Sequence, residues 1–465
     1  MKYFRRQDRS EHLKVIIIGA GEVGFHIAQR LALEGKDVVV VDNKPESLHR
    51  LTEFMDVQTV SGSGASPKIL DQAGIAGADV LLAVTDSDEI NIIACFFANV
   101  LSPDTLKLAR IRNEEYTLYQ DALSKDMLDI SMVINPEVEV VKNIDRLITV
   151  PGALEYNEFA GGKIKMVAMR VMEGHLSGTS LPELRVKMGV PRFIVAAIVR
   201  EEQLIVPSGR DELRTDDIVY FVCEEKDLGM VREYFGYGHE SVNSVLIIGG
   251  GNIGHRLANL LESKGYHTKI IDRDEARCSF LAEKLNKTIV LKGDGTDREV
   301  LAEENVDMMD VVVSLTGDEE TNILSSLLAR SMGAKKTITR INKAAYLPLV
   351  SAIGIEHSVS PRLSAVNSIL QYVRGGSIIS SVSIKGEMAE AMEAIAQENS
   401  DIVGKPLMDL NFPKGALLLC IIRGREVIIP TGDTEIHPLD KIIILSTSKA
   451  VSDVENALKT KLEYY

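Results

Sequence analysis

The sequence predicts an α/β protein in which two doubly wound parallel-sheet domains alternate with two small α+β domains, and three observations indicate this. The glycine loop GAGEVG at residues 19–24 recurs as GGGNIG at residues 249–254. Each loop is followed at the same distance by an aspartate, Asp42 or Asp272, and then by alternating strand-like and helix-like segments. Such a loop between a strand and a helix is the fingerprint of a Rossmann-like dinucleotide-binding unit. Because a chance match would have to arise twice with its partners, we interpret the chain as a tandem duplication.

The first unit opens with a β-branched segment that ends at the glycine loop, which predicts a buried strand followed by a helix over residues 23–33. Segments with the apolar spacing of a helix also lie between the later strand-like segments. A series of strand, helix and strand predicts a parallel, doubly wound sheet. Its strands are expected at residues 14–18, 37–41, 58–60, 79–84 and 106–111.

The second unit repeats this order, and its loops match as well. SGSG at residues 61–64 corresponds to KGDG at 292–295, and TDSDEIN at 85–91 corresponds to TGDEETN at 316–322. Strands are expected at residues 244–248, 268–271, 288–291, 310–315 and 337–341.

A smaller segment follows each unit, and these two segments also match each other. GTSLPEL at residues 178–184 corresponds to GKPLMDL at 404–410. Each segment contains a hairpin pattern, at 193–206 or 417–429, and then a third strand and a terminal helix. The third strands are expected at residues 218–223 and 441–445.

These patterns predict four domains in the order large, small, large, small. The expected boundaries are 13–135 and 244–360 for the Rossmann-like domains, and 155–239 and 380–464 for the small domains. The joints at 135–153 and 360–380 each begin a helix-like stretch with a proline, so we expect hinge helices there.

Composition and charge narrow the class of protein. A hydrophobic fraction of 45% with 26% charged residues is ordinary for a globular protein, and 5% aromatic residues without Trp favour aliphatic cores. The formal net charge of −15 argues against nucleic acid or a bare membrane surface as the main partner. No stretch approaches the roughly 20 apolar residues that span a bilayer, and no signal sequence is evident, so we expect a cytoplasmic location.

The glycine loops and their partner acids predict nucleotide binding. The first glycine permits the tight turn, the second lets the backbone approach a pyrophosphate, and the third allows close packing of helix on strand. The helix amino terminus offers N–H groups to the phosphates. Asp42 and Asp272 are placed to accept hydrogen bonds from an adenosine ribose, which favours NAD(H) over NADP(H) because a 2′-phosphate would meet like charge. The alternative is that the glycines serve packing alone.

Four further candidates follow the fourth strands, where an open α/β sheet presents its ligand crevice. They are Thr85 and Asp86 in the first copy, and Thr316 and Gly317 in the second. Helix capping is the alternative interpretation, since polar residues before an acidic first turn stabilise a helix.

The ends of the fifth and third strands supply the remaining candidates. Arg110 and Arg340 could bind a phosphate, although a surface salt bridge is the alternative. Ser63 and Asp294 could reach the adenosine side, although Asp294 could instead close its own turn.

The sequence offers no sign of chemistry beyond nucleotide binding. None of the nine histidines falls at a position shared by the two copies, and no segment has the size of a dehydrogenase substrate domain. We therefore expect a protein that binds a dinucleotide without catalysis. An NAD-dependent oxidoreductase remains an alternative.

The set and order of these motifs resemble a known family. GAGEVG, Asp42, SGSG, TDSDEIN and ARIR at residues 109–112 are similar to those of the regulator-of-potassium-conductance (RCK) family, in particular the peripheral NAD-binding subunits of bacterial Trk potassium-uptake systems. The resemblance covers nearly the whole chain from residue 13, while residues 1–12 lie beyond it. Departures are modest, because Ala20 becomes Gly250, and Arg112 is matched by Asn342, which weakens a phosphate role for that position.

The resemblance implies a nucleotide pocket in each copy, built from matching positions. The first comprises Gly19, Ala20, Gly21, Glu22, Val23, Gly24, Asp42, Ser63, Thr85, Asp86 and Arg110. The second comprises Gly249, Gly250, Gly251, Asn252, Ile253, Gly254, Asp272, Asp294, Thr316, Gly317 and Arg340.

The resemblance further implies a regulatory subunit that assembles into a ring, as a homotetramer, and docks on a membrane potassium transporter subunit of the Trk type at the inner face of the membrane. NAD⁺ or NADH, or ATP or ADP in the same clefts, would change the arrangement of the ring and so control potassium transport. A regulatory subunit of another cation channel or of an antiporter is the alternative within the same architecture.

Overall fold

The computed structural model describes residues 13–113, 115–116, 128–174, 176–189, 193–238, 242–343, 346–373, 378–385 and 388–458. The chain divides into two compact units. The described residues within 1–139 and 361–376 form the first unit, and those within 140–360 and 377–465 form the second.

The first half of the chain begins with a Rossmann-like series and continues with a small sheet. Its strands are β1 (Lys14–Ile18), β2 (Asp37–Asp42), β3 (Gln58–Ser61), β4 (Val80–Ala83), β5 (Leu106–Arg110), β6 (Ile130–Ile134), β7 (Ala153–Phe159), β8 (Ile164–Arg170), β9 (Phe193–Arg200), β10 (Gln203–Ile205) and β11 (Ile218–Glu224). Its helices are α1 (Glu22–Leu33), α2 (Pro45–Phe54), α3 (Pro67–Gln72), α4 (Asp88–Leu101), α5 (Pro136–Thr149), α6 (Leu181–Met188) and α7 (Leu228–Tyr234).

The second half repeats the order of the strands. Its strands are β12 (Ser244–Ile248), β13 (His267–Asp272), β14 (Ile289–Lys292), β15 (Val311–Ser314), β16 (Lys336–Arg340), β17 (His357–Val359), β18 (Ile378–Ile384), β19 (Ala389–Ile395), β20 (Ala416–Arg423), β21 (Glu426–Ile428) and β22 (Lys441–Thr447). Its helices are α8 (Asn252–Lys264), α9 (Glu275–Lys284), α10 (Arg298–Glu303), α11 (Glu319–Ser331), α12 (Leu347–Ala352), α13 (Pro361–Val373) and α14 (Val451–Leu458).

Both large domains contain the predicted doubly wound parallel sheet. The strand orders are β3-β2-β1-β4-β5-β6 and β14-β13-β12-β15-β16-β17. The order reverses at β1 and at β12, so the loops after these strands lie at the switch points of the sheets. The predicted strands are confirmed in position, while the edge strands β6 and β17 were not predicted; β17 has only three residues, HSV, and β6 is interrupted by an exposed serine.

A helix that follows one parallel sheet covers the other sheet. In the first unit, Ala365, Val366, Ile369 and Leu370 of α13 pack into the core formed by α1, β1 and β2. In the second unit, the apolar residues of α5 from Val140 onward pack into the core formed by α8 and β12. The helices predicted at the two joints are therefore present, and each completes the core of the parallel sheet that is remote from it in sequence.

Each small domain has a five-stranded antiparallel sheet. The strand orders are β10-β9-β11-β8-β7 and β18-β19-β22-β20-β21. The hairpins, third strands and terminal helices match the sequence prediction, but two strands at the start of each sheet were not predicted. Those strands include buried charged residues, such as Lys165, Glu390 and Glu393, which obscure the apolar pattern.

The two small sheets pack together within the second unit. Their apolar faces share one core, which includes Ala196 and Tyr220 from the first sheet and Ala391 and Leu419 from the second. Glu393 accepts a hydrogen bond from the backbone N–H of Ala160 at 2.9 Å. The exact domain boundaries remain predictions, and those at residues 239 and 464 lie outside the described residues.

None of the helices in the described part of the chain combines the length and the apolar character needed to cross a bilayer.

Candidate nucleotide-binding clefts

In each large domain the predicted site residues meet at the carboxyl edge of the parallel sheet. The glycine loop joins β1 to α1 in the first copy and β12 to α8 in the second. The loops after the next strands end at the same edge, because all of these strands run parallel. The structure thus gathers each predicted set around the amino terminus of one helix.

The first and third glycines of each fingerprint are required by the backbone. Gly19 has φ +107° and Gly249 has φ +105°, which side chains rarely adopt. A Cβ placed on Gly24 would overlap the carbonyl oxygen of Gly19, and a Cβ on Gly254 would likewise overlap Gly249. The turn and the approach of helix to strand therefore both depend on glycine.

The middle glycine has a different role. No described atom lies within 4 Å of a Cβ placed on Gly21 or on Gly251, so open space adjoins each loop. Neither residue caps its helix with a side chain, whereas α9, α10 and α11 of the second copy are capped by Asp274, Asp297 and Asp318. The first-turn N–H groups of α1 and α8 thus face a space that a phosphate could occupy.

The strand-end aspartates bind the glycine loops directly. One carboxylate oxygen of Asp42 accepts from the Ala20 N–H at 2.6 Å and the other accepts from the Lys44 N–H at 2.8 Å. Asp272 repeats this with Gly250 at 2.6 Å and Asp274 at 2.9 Å. An ionised carboxylate has about four acceptor positions. Each acid therefore retains capacity for the two hydroxyls of a ribose.

A buried asparagine that sequence analysis did not single out organises the fourth-strand loop. Asn91 accepts from the Thr85 N–H at 2.9 Å and from the Thr85 hydroxyl at 2.7 Å, and it donates to the carbonyl of Arg110 at 2.8 Å. Asn322 makes the same contacts with Thr316 and Arg340. The sequence could have indicated this role, because asparagine recurs at the end of both TDSDEIN-type motifs. The asparagine side chain ties the end of the fourth strand to the end of the fifth.

Buried acids support the next loop in the same way. Asp88 accepts from the backbone N–H groups of Arg112 at 2.9 Å and Asn113 at 2.8 Å. Glu319 accepts from the Asn342 N–H at 3.0 Å. These contacts hold the segment that follows each fifth strand against the helix that follows the fourth.

Arg110 forms the ion pair that was considered as an alternative to phosphate binding. Its guanidinium lies 3.1 Å from Asp86, whose side chain is 92% exposed, while that of Arg110 is 15% exposed. The Nε atom of Arg110 is buried with no hydrogen-bond partner among the described residues. Burial also lowers the pKa of this arginine. Arg340 donates to the Thr316 carbonyl at 3.3 Å, and Gly317 is exposed.

The third-strand loops differ between the copies. Asp294 accepts from the backbone N–H of Thr296 at 2.8 Å and from its hydroxyl at 2.7 Å, so it closes its own turn. These hydrogen bonds lower the pKa of Asp294. Ser63 is exposed, and its hydroxyl accepts from the Ala65 N–H at 3.3 Å. Any contact with a nucleotide would therefore be added to these local bonds.

The first helical residue also differs between the clefts. Glu22 lies 2.9 Å from Arg50 and 3.6 Å from Arg362 of α13, and the hydrogen bond from Arg50 is the main cause that lowers its pKa. Its counterpart Asn252 is uncharged. In the second copy, Arg277 donates from Nε to the Gly250 carbonyl at 2.5 Å.

Comparison with protein families agrees with this architecture. The TrkA-N domain model matches residues 15–136 and 245–361, and the TrkA-C domain model matches residues 166–236 and 391–459. The chain belongs to the TrkA family. The two TrkA-N matches coincide with the parallel sheets, and the two TrkA-C matches lie in the small domains.

Relatives in the TrkA family match over the full length. The Trk system potassium uptake protein TrkA of Halomonas elongata is 38% identical, over 97% of this chain and 100% of that protein. The Trk system potassium uptake protein TrkA homolog 1 of Methanosarcina mazei is 38% identical, over 96% and 100%. Among solved structures, the GsuK channel bound to NAD aligns with a TM-score of 0.61 at 19% identity, covering 96% of this chain and 79% of that one, which shows a shared fold.

Proposed function

We propose that this chain is the NAD(H)-binding regulatory subunit of a Trk-type potassium-uptake transporter. The observation that carries the proposal is the full-length similarity to proteins named Trk system potassium uptake protein TrkA. The chain acts by binding nucleotide in its two clefts and changing the arrangement of the assembly that contacts the membrane subunit.

The contacts in the clefts support NAD(H) as the ligand. Each cleft combines an uncapped helix amino terminus with a strand-end acid, Asp42 or Asp272, that retains acceptor positions. The helix amino terminus suits a diphosphate, and the strand-end acid suits a ribose. A ribose 2′-phosphate would meet the negative charge of the acid, which favours NAD(H) over NADP(H). ATP and ADP share the adenosine and the diphosphate, so they are expected to compete for the same clefts.

Exposed apolar residues support self-association. On α4, Ile93 is 42% exposed, Val100 is 61% exposed and Leu101 is 40% exposed, and Leu324 on α11 is 58% exposed. Apolar residues clustered on a helix surface are typical of protein contacts. The proposed assembly is a homotetrameric ring at the cytoplasmic face of the membrane, held there by the transporter subunit.

Regulation then requires that a nucleotide bind one arrangement of the ring better than another, because equal affinity would shift no equilibrium. A tenfold difference at one cleft corresponds to about 1.4 kcal/mol, and several clefts in one ring add to a larger bias.

Two measurements test the proposal. Calorimetric titration with NADH, NAD⁺ and ATP should give two sites per chain. In cells that lack their own potassium uptake but carry a Trk-type membrane subunit, the chain should raise uptake, and a chain with both clefts disabled should not. Uptake that is indifferent to the chain would overturn the assignment to a Trk transporter and favour another channel or an antiporter as the partner. Steady hydride transfer from NADH would instead favour an oxidoreductase.

The first cleft is expected to gain affinity for ATP when it receives the residues of the second. Replacing Glu22 by Asn and Asp86 by Gly removes two negative charges near the phosphates and releases Arg50 and Arg110 from their ion pairs. ATP carries more negative charge than NADH, so its affinity should rise relative to that of NADH by about tenfold or more. Competition calorimetry in an Asp272→Ala background isolates this cleft.

The matched control for that prediction is the double variant Asp37→Asn and Asp71→Asn, which changes the net charge equally at exposed positions outside the cleft. An equal gain in ATP affinity in the control would show that net charge alone sets the preference.

A further inference from the structure

A second cavity lies in the second unit, at the end of the strands opposite to the nucleotide cleft. Its volume is about 340 Å³, within the range of small-molecule sites. One wall is formed by the amino ends of three strands, at Val311, Lys336 and His357. The other wall comes from the first small domain, through residues 151–154, Arg170 and Tyr237.

The walls of this cavity are shaped by two glycines with positive φ. Gly152 has φ +83°, and a Cβ placed there would overlap the ring of Tyr237. Gly354 has φ +87°, and a Cβ there would overlap the guanidinium of Arg330, which donates to the Gly354 carbonyl. A side chain at either position would therefore displace Tyr237 or Arg330 from the cavity wall.

Positive charge predominates in the lining. Four cationic side chains and two acidic side chains line the cavity, which leaves an excess of two positive charges on a chain whose net charge is −15. The acids are Asp310, which lies 2.7 Å from Lys335, and Glu356, which lies 3.4 Å from Arg170.

Lys336 and Arg330 supply the excess, since both donate to backbone carbonyls, which carry no net charge. Lys336 donates to the carbonyl of Leu147 at 2.8 Å and lies 3.5 Å from that of Ala153. An ammonium has three donors, so a further donor remains for a ligand. Burial lowers the pKa of Lys336 to about 8, and the nearby Glu356 carboxylate offsets only part of this effect.

His357 adds a buried imidazole, which also has a hydrogen bond with the backbone of Leu154. It is 8% exposed, and its Nδ1 atom has no hydrogen-bond partner among the described residues. Burial lowers the pKa of this imidazole well below its ordinary value. A buried nitrogen without a partner is costly to stability, and a hydrogen-bonding ligand next to it would offset that cost.

Lys336 and His357 have no polar counterparts in the first copy of the duplicated fold. Lys336 is the first residue of β16, and the first residue of the matching strand β5 is Leu106. His357 pairs with Ile338, and in the first copy Met132 pairs with the equivalent Leu108. Two polar groups therefore stand in the second copy where the first has apolar side chains.

We propose that this cavity binds a small dianion, a phosphate monoester or a dicarboxylate, between the second Rossmann-like domain and the first small domain. The ligand pairs with Lys336 and Arg330 and approaches His357, and it holds the two walls together. This site is separate from the nucleotide clefts and does not depend on the function proposed for them.

Calorimetric titration of the full chain with inorganic phosphate, and separately with succinate, tests this site. With NADH filling the nucleotide clefts, saturable binding of one anion per chain is expected, and the tighter of the two probes identifies the class. Lys336→Leu installs the residue of the first copy and should weaken binding at least tenfold. Lys287→Leu removes the same charge at an exposed position and should change nothing.

A second variant separates binding from folding. Val242 lines the cavity and is half-buried, so Val242→Trp fills the space while every charge is kept. It should abolish anion binding. Binding that persists in this variant, or the absence of saturable binding by either probe, would overturn the proposal. Asp42→Ala and Asp272→Ala should leave anion binding intact, which distinguishes a failure here from a failure of the nucleotide clefts.

Discussion

Replacing Asp42 or Asp272 by alanine is expected to lower the NADH affinity of its own cleft at least a hundredfold. Each carboxylate would lose its hydrogen bonds to the ribose, and bonds to a charged group contribute about 1.5–3 kcal/mol each. Two such bonds correspond to about 3 kcal/mol, or roughly two orders of magnitude. Calorimetry should therefore count one site in each single variant and none in the double variant.

Because Asp42 also accepts from the Ala20 and Lys44 N–H groups, a loss of binding must be separated from a local loss of structure. Asp37→Ala is the matched control, since Asp37 lies exposed at the opposite end of the same strand. Asp42→Asn keeps the shape and one acceptor oxygen, so it should preserve the loop while still weakening NADH. Two sites of unchanged affinity in the alanine double variant would remove both clefts as the NADH sites.

Replacing glycine by alanine in the glycine loops should lower stability at one position and NADH affinity at another. Gly24→Ala is expected to destabilise the first unit by about 3 kcal/mol or more, because its Cβ would overlap the carbonyl oxygen of Gly19 and backbone would have to move. Gly21→Ala should leave stability nearly unchanged, because open space adjoins that position. It should nevertheless weaken NADH strongly, since the methyl group occupies the space that a diphosphate needs.

Denaturant unfolding and NADH titration of both variants measure the two effects. Gly254→Ala and Gly251→Ala repeat the comparison in the second copy, where the same contacts occur. If Gly21→Ala bound NADH as the unmodified chain does, the diphosphate could not lie over this loop.

The parallel sheets and the glycine loops were predictable because their signals are local. A β-branched run such as residues 14–18 and a loop that requires glycine at Gly19 and Gly24 are explained by neighbouring atoms. The first strands of the small sheets were not, because Lys165 and Glu393 are buried only once partners from distant segments are in place. Predicting them requires the tertiary contacts themselves.

In the clefts too, some features were predictable from local sequence and others depend on distant partners. The positions of Asp42 and Asp272 at the loops were evident from spacing, whereas the role of Asn91 depends on the carbonyl of Arg110, which belongs to another strand. The choice between salt bridge and ligand contact at Arg110 also depends on a partner, Asp86, that spacing alone does not place. The second cavity had no signal in the sequence, because its walls come from segments far apart in the chain.

The exchange of helices has a consequence for synthesis on the ribosome. The first parallel sheet is translated first, yet part of its core is supplied by Ala365, Val366, Ile369 and Leu370 of α13. Domains generally fold as they emerge, but this one must wait for more than 200 further residues, and its nascent apolar face stays open meanwhile. The earliest sheet to leave the ribosome is therefore among the last to be completed, and a chain that terminates near its middle cannot bury that face with its own residues.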